Sequence, residues 1–341
     1  MRTQEHSHRT AVGVSIAAYN ASHYVGAAVE SVLAQTCDHW QAIVIDDGSS
    51  DDTAEVARAA AAGDPRVQIV SQPNAGRSHA RNRGESLLDD ATRYVLFLDA
   101  DDLLEPAALA TLSGYLDENP RVACVGCQFS PIDEAGDPIP ADKLHREKAY
   151  RTRWVPGALG LTRELRPDEV FTPFITFFTG SGVGPHALYR REVFQSVGGY
   201  DTRFDGREDH DLFMRVSLDA TIHYLPDRLY RYRLHAEQST KNHEKFRAES
   251  RLINDKWDRF VPDERQAPLL RAARAYRDLV HLPLRQMRGG IRLASRGRWA
   301  SGLRESLAGG ARFVWRWPYY LSRWHGEVVR HLSEPIEARR P

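Results

Sequence analysis

The sequence predicts an α/β fold: a mostly parallel sheet covered by helices on both faces. Two observations carry that expectation. Over the first 130 residues, short and almost uninterrupted apolar runs alternate with segments whose apolar residues recur at helical spacing. Strands buried on both faces read as continuous hydrophobic runs rather than as alternation. Polar residues also collect directly after four of those runs, and ligands of parallel sheets bind beyond the carboxyl ends of the strands. At 341 residues the chain has room for one large domain or two ordinary ones.

The elements follow in order. VGVSIAAY (12–19) reads as the first strand, and SHYVGAAVESVLAQ, from Ser22, as its helix. WQAIVIDD (40–47) is the second strand, and TAEVARAAAAG a helix stopped by Gly63. RVQIV (66–70) is the third, with a helix from Ser78 to Leu88. YVLFLDAD (94–101) is the fourth, followed by a helix with Pro106 near its first position and its end at Leu116. RVACVGCQF (121–129) is the fifth. Residues 131–176 hold several prolines and the basic patch KLHREKAYRTRW, the marks of an insertion or lid. RREVFQSV is then a short helix ended by Gly198 and Gly199, GREDHDLFMRVSLDA a helix with acids in its first turn, and TIHYLP (221–226) a strand. From residue 246 the composition turns helical, arginine-rich and aromatic.

The totals exclude several classes. The chain carries 46 basic and 46 acidic residues, so no global field points to nucleic acid. That balance hides an asymmetry: residues 251–341 hold 19 Lys/Arg against 9 Asp/Glu, leaving 27 against 37 for residues 1–250. Three cysteines make no disulfide framework. Cys124 and Cys127 form a C-x-x-C, but three residues apart on a strand they face opposite ways, and no second pair at zinc spacing accompanies them. The N-terminus lacks the apolar core of a secretory signal. The longest uncharged stretch, FTPFITFFTGSGVGPHALY, is broken by two prolines and three glycines. A cytoplasmic protein is expected.

The fourth run ends in three carboxylates, Asp99, Asp101 and Asp102. Residues i and i+2 of an extended segment project to one side, so Asp99 and Asp101 should converge. Carboxylates held together repel unless a cation lies between them, and a hard divalent ion suits oxygen ligands. A solvated acidic turn carries the same residues, and the motif alone does not choose.

Its company does. SIAAYN, VIDDGSSDDT, NAGRSHARNRG, FLDADD, RREVFQSVGGYD, GREDHDLFMR and YRLHAEQS occur in this order between residues 15 and 239. Together they resemble the family 2 glycosyltransferases, enzymes of the Rossmann-like GT-A fold that use nucleotide-diphosphate sugars. The resemblance covers residues 10–245. It implies a nucleotide-sugar-binding half over 10–130, an acceptor and catalytic-base half over 131–245, and a helical extension over 246–341. It implies Tyr19 and Asp47 at the nucleobase, with Ala17 and Ala18 lining the pocket. Asp46 and Asp47 also suit a turn with a helix cap, and the two readings are compatible. The resemblance further implies Arg77 and Arg81 at the donor phosphates, with Arg81 preferred because guanidinium suits phosphate. Asp99 would lie by the ribose and Asp101 on a Mn or Mg ion, joined by His235. Asp209 would be the general base, with Glu208 beside it. The GSGVG run at 180–184 would line the acceptor or sugar pocket.

The implied activity is inverting transfer from a nucleotide-sugar donor, UDP-linked, to a hydroxyl of a glycan or lipid-linked glycan. Two rivals share the Asp-x-Asp: a Mg-dependent phosphatase of haloacid dehalogenase type, and a catalytically silent sugar-nucleotide-binding module. In the tail, residues 281–324 carry nine arginines against the single acid Glu305, interleaved with Trp299, Phe313, Trp315, Trp317, Tyr319, Tyr320 and Trp324. Such a segment either lies on an anionic membrane surface or packs on the catalytic domain or another subunit of a homo-oligomer.

Overall fold

Strand β1 (Val12–Ala18) lies inside a mixed sheet, paired in parallel with β2 (Trp40–Asp46) on one side and β4 (Tyr94–Asp99) on the other. The computed structural model of the chain describes residues 12–140, 154–156, 162–164, 169–171, 187–238, 243–264, 266–276 and 299–323, with a few positions between 278 and 291. Strand β3 (Val67–Ser71) extends the parallel set beyond β2. On the other side the strand order continues from β4 through β10 (Ala187–Arg190), β6 (Val122–Ile132) and β11 (Thr221–Arg233) to the two-residue β5 (Leu103–Leu104). β10 runs antiparallel to both its neighbours, and β11 pairs in parallel with β6. Strands β7 (Trp154–Pro156) and β8 (Thr162–Glu164) pair separately, and β9 (Glu169–Phe171) is equally short.

Register decides where the polar strand ends fall. Ala17 lies opposite Asp99, Ala18 opposite Asp46, and Asp46 opposite Ser71. Four parallel strands therefore finish on one rim, where the sequence places its acids.

The helices form for the expected reasons. Helix α1 (Val25–Leu33) buries Val25, Ala28, Val29 and Val32, the i, i+3, i+4, i+7 face of an amphipathic helix. Helix α2 (Thr53–Ala61) ends at Ala62, itself left-handed at φ 50°, with Gly63 following at 75°; the stop falls one residue before the expected glycine. Helix α3 (Arg77–Ser86) is mostly polar and buries small residues, Ser78, Ala80 and Gly84, against the sheet. Helix α4 (Ala108–Glu118) begins after Pro106 rather than at it. Helices α5 (Arg191–Ser196) and α6 (Glu208–Asp219) follow β10.

Strand β11 is longer than the expected 221–226. Its register shifts on either side of Arg228, next to Pro226, which cannot donate to a ladder and sits at such an irregularity. Pairing with β6 then resumes to Arg233. Cys124 and Cys127 are buried in β6 and not joined in a disulfide, as expected of core cysteines. The core is one apolar cluster built around β1, β2, β4 and β6, including Val14, Ile16, Val44, Leu96, Leu98 and Val125.

The chain divides into two compact units. One takes in residues 1–151, 166–170 and 181–258; the other takes in 152–165, 171–180 and 259–341. Helix α7 (His243–Arg259) belongs to the first almost entirely, while α8 (Gln266–Tyr276) and α9 (Trp299–Arg323) lie in the second. No helix among the described residues is long and apolar enough to cross a membrane.

Candidate active site

The three acids after β4 have three different tasks. The chain turns at once beyond the strand, the Asp102 amide donating to the Asp99 carbonyl at 3.1 Å. One oxygen from each of Asp99, Asp101 and Asp102 lies within 4.8 Å of the others. Convergence is as expected, but its cause is this turn and not the pleat, because β4 stops at Asp99.

Asp102 is buried, and both of its oxygens are engaged. One accepts from the Tyr230 hydroxyl at 2.8 Å, the other from the Arg233 amide at 2.7 Å. Burial, then the charges of Asp101 and Asp99, push its pKa well above the carboxylate range. Asp101 is partly exposed and meets His235, Nε2 to Oδ2 at 2.9 Å. The Arg233 guanidinium fixes this loop by donating through Nε to the Asp101 carbonyl at 2.7 Å.

Asp99 faces the other way, onto Arg81. That arginine is only 2 % exposed; one arm of its guanidinium bonds Asp99, and the other bonds Glu208 at 2.6 Å. The Tyr200 ring lies 5.2 Å from it. Burial would raise the pKa of Asp99, but Arg81 and then Arg77 more than offset this and hold it below the usual range. Arg77 is looser, at 3.7 Å from Asp205 and 3.9 Å from Glu208. Glu208 and Asp209 open α6, where the helix dipole favours negative charge. Asp209 is half-buried, and its Oδ1 accepts the His210 amide at 2.7 Å.

The opposite end of the rim is quieter. Tyr19 stands exposed just beyond β1, whose last residues Ala17 and Ala18 are half-buried and buried. Asp46 closes a turn, accepting from the Ser49 amide at 3.0 Å. Asp47 holds the loop after β3, accepting from Gln72 at 2.6 Å, the Ala75 amide at 2.9 Å and the Gly76 amide at 2.8 Å. Between these loops Gly48 adopts φ 74°, and a Cβ there would stand 2.7 Å from the Asn74 nitrogen. Only glycine fits.

Sequence reasoning missed several members. Tyr24 stacks on His235 at 4.8 Å between ring centroids, carries Arg233 over its face at 5.3 Å and donates to Glu134 at 3.2 Å. Asp205 accepts the Arg77 amide at 3.0 Å and the Lys245 ammonium at 2.7 Å. Arg233 was in view within YRLHAEQS, yet its role depends on β11 continuing past Pro226. The expected GSGVG segment at 180–184 lies outside the described residues.

The donor set fits a divalent cation. With Asp102 committed to Tyr230 and Arg233 and Asp99 turned onto Arg81, the available ligands are Asp101 and the His235 imidazole, a mix that Mn²⁺ or Mg²⁺ accepts.

A mixed, mostly parallel sheet with carboxylates gathered at its strand ends is the architecture of GT-A proteins, and solved structures share it. The match is at TM-score 0.60 and 16 % identity to Staphylococcus aureus TarS 1–349 in complex with UDP-GlcNAc, covering 96 % of this chain and 92 % of that one. It is at 0.58 and 19 % to the Pyrobaculum calidifontis mannosyltransferase PcManGT in complex with GDP-Man and Mn²⁺, covering 98 % and 89 %. The chain belongs to glycosyl transferase family 2, whose model matches residues 14–198, with a second model, glycosyltransferase like family 2, matching 159–255. Among curated relatives it is 25 % identical to the chondroitin synthase of Pasteurella multocida over 69 % of this chain, and 37 % identical to the uncharacterized glycosyltransferase YibD of Escherichia coli over 39 %. The chain spans 22 % and 39 % of those proteins' lengths. Family and fold together set aside the dehalogenase-type phosphatase.

Proposed function

We propose that this protein transfers a sugar from a nucleotide-diphosphate donor, UDP-linked, to an acceptor hydroxyl, by a single displacement that inverts the anomeric carbon. The observation that carries the reading is the line Asp99–Arg81–Glu208, which joins the strand-end rim to the helix start bearing Asp209. It ties a donor-holding carboxylate, through a buried contact, to the neighbour of the proton-accepting one.

The roles follow from the surroundings. The exposed Tyr19 ring offers a face to the nucleobase, with Ala17 and Ala18 at the end of β1 lining the pocket and Asp47 holding the neighbouring loop. Asp99, kept ionised by Arg81, accepts from a ribose hydroxyl. Asp101 and His235 would hold Mn²⁺ or Mg²⁺, which when bound offsets the charge developing on the departing diphosphate. Arg81 has both arms occupied, so the phosphate contact passes to Arg77, whose longer ion pairs leave it free to shift. Asp209 takes the proton of the attacking hydroxyl, and Glu208, fixed by Arg81, sets its position.

The titles of solved neighbours, with UDP-GlcNAc in one and GDP-Man and Mn²⁺ in another, support a nucleotide-sugar donor. The names of relatives, chondroitin synthase and a hyaluronan synthase of Pasteurella multocida, support a glycan acceptor, and the proposal extends to a lipid-linked glycan and to polysaccharide biosynthesis of the cell envelope. A donor screen with UDP-, GDP- and dTDP-sugars tests the reading, comparing native protein with Asp209→Asn. Loss of the base should lower transfer about 10²–10⁴-fold while donor affinity stays within about twofold. Equal turnover in the variant would remove Asp209 from the role. Metal-dependent donor binding without turnover in the native protein would leave the silent module.

A further inference from the structure

We infer that helix α9 is a docking face for an anionic lipid surface. Five of the eight large hydrophobic side chains exposed among the described residues fall between Val261 and Leu307, in the second unit. Three of them, Trp299, Leu303 and Leu307, are 70 %, 60 % and 63 % exposed and follow one another at four-residue spacing on α9. Side chains four apart share a helix face, so the three form one apolar stripe rather than scattered exposures.

The segment around the stripe is rich in positive charge. Arg304, next to Leu303, is exposed, and residues 281–324 hold nine arginines against Glu305 alone. An exposed apolar stripe in an arginine-rich segment matches a surface that is both apolar and anionic, and a lipid bilayer with acidic headgroups is such a surface. Since no described helix is apolar enough to span, the geometry is that of a helix lying in the interface.

A second copy of the chain fits less well. Stripe against stripe would bring two arginine-rich segments together with Glu305 as the single acid of each. Among the described residues of the first unit, whose sequence is acidic, the large exposed hydrophobics are Tyr19, Leu87 and Leu252, one each beyond β1, at the end of α3 and on α7. They make no matching stripe.

The test is co-sedimentation of the full chain with vesicles of phosphatidylcholine alone and of phosphatidylcholine with 30 % phosphatidylglycerol, the latter about a physiological anionic load. The expected result is at least tenfold stronger partition onto the anionic vesicles, weakened by salt. Leu303→Glu with Leu307→Glu should lower it at least tenfold, with circular dichroism unchanged. Should that pair disturb folding, Leu303→Ala with Leu307→Ala replaces it, and quenching by brominated lipid, compared with Trp299→Phe, reports whether Trp299 enters the bilayer. Equal partition onto neutral and anionic vesicles, partition unaffected by the paired variants, or no Trp299 quenching would overturn the inference. Concentration-dependent self-association that the paired variants abolish, without vesicle binding, would assign the stripe to a second copy.

Discussion

Arg81 is the residue on which most of the site leans. Buried between Asp99 and Glu208, it satisfies two carboxylates that would otherwise be left charged in a poorly solvated place. Breaking a buried pair from one side leaves uncompensated charge, so Arg81→Ala should destabilise the fold by about 3–5 kcal/mol. Arg81→Lys, one point charge where two arms are required, should recover only part. Chemical denaturation measures both, and a loss under about 1 kcal/mol in the alanine variant would contradict the keystone role. The sequence reached this residue for another reason, as a phosphate contact, because guanidinium chemistry suits phosphates and carboxylates alike. Its actual partners lie 18 and 127 positions away, separations that no local pattern encodes. Asp99 and Asp101 were legible as a converging pair because they lie only two positions apart in sequence. Asp102 was not separable from them, since its commitment is made by Tyr230 and Arg233 on a distant strand.

Two contacts between elements are open to direct test. Helix α3 lies so close to β1 that a Cβ on Gly84 would stand 2.1 Å from the Ser15 hydroxyl oxygen and 3.0 Å from its Cβ. Gly84→Ala should cost about 1–3 kcal/mol as overpacking, and Ser15→Ala in the same chain should recover part by removing the nearest atom. A neutral Gly84→Ala would mean that helix and strand shift freely. Helix α7 is clamped to the approach to α6. Lys256 pairs with Asp201 at 2.9 Å and Asp211 at 2.5 Å, Trp257 donates to Asp211 at 3.1 Å, and Arg207 donates to Ser250 at 2.9 Å.

Asp201 adds a pH dependence. Its carboxyl is held far below the ordinary range, by the Arg203 hydrogen bond first and by Lys256 as well. Folding thus favours its ionised form, so its stabilisation is complete above the unfolded value of about 4 and fades as pH falls below it. Asp201→Asn should lower stability by about 1–2 kcal/mol at pH 7, with native and variant converging as pH falls below about 3. A gap that is constant between pH 7 and 3 would contradict the pairing. The parallel strands were legible from their apolar runs, because burial on both faces leaves little room for polar residues. The second half of β11 was not, because Asp227, Arg228 and Arg231 look like loop and Pro226 looks like a stop. Pairing with β6 is what makes that segment a strand.

Across the whole molecule, the charge split between residues 1–250 and 251–341 is visible from composition, while the grouping of 152–165 and 171–180 with 259–341 in one compact unit is not. Composition could not show that α7 joins the sheet-bearing unit, since Lys256 and Trp257 read as ordinary members of a helical tail. What unifies the catalytic account is the rim formed by Ala17, Asp99, Asp101 and His235, on which a nucleotide diphosphate and a divalent cation would meet. Titration of Mn²⁺ followed by its paramagnetic resonance, with and without UDP, tests that claim most directly. The account predicts one ion per chain, bound at least tenfold more tightly when UDP is present, with Asp101→Asn losing at least tenfold in affinity. Manganese affinity indifferent to UDP, or unchanged by Asp101→Asn, would contradict it.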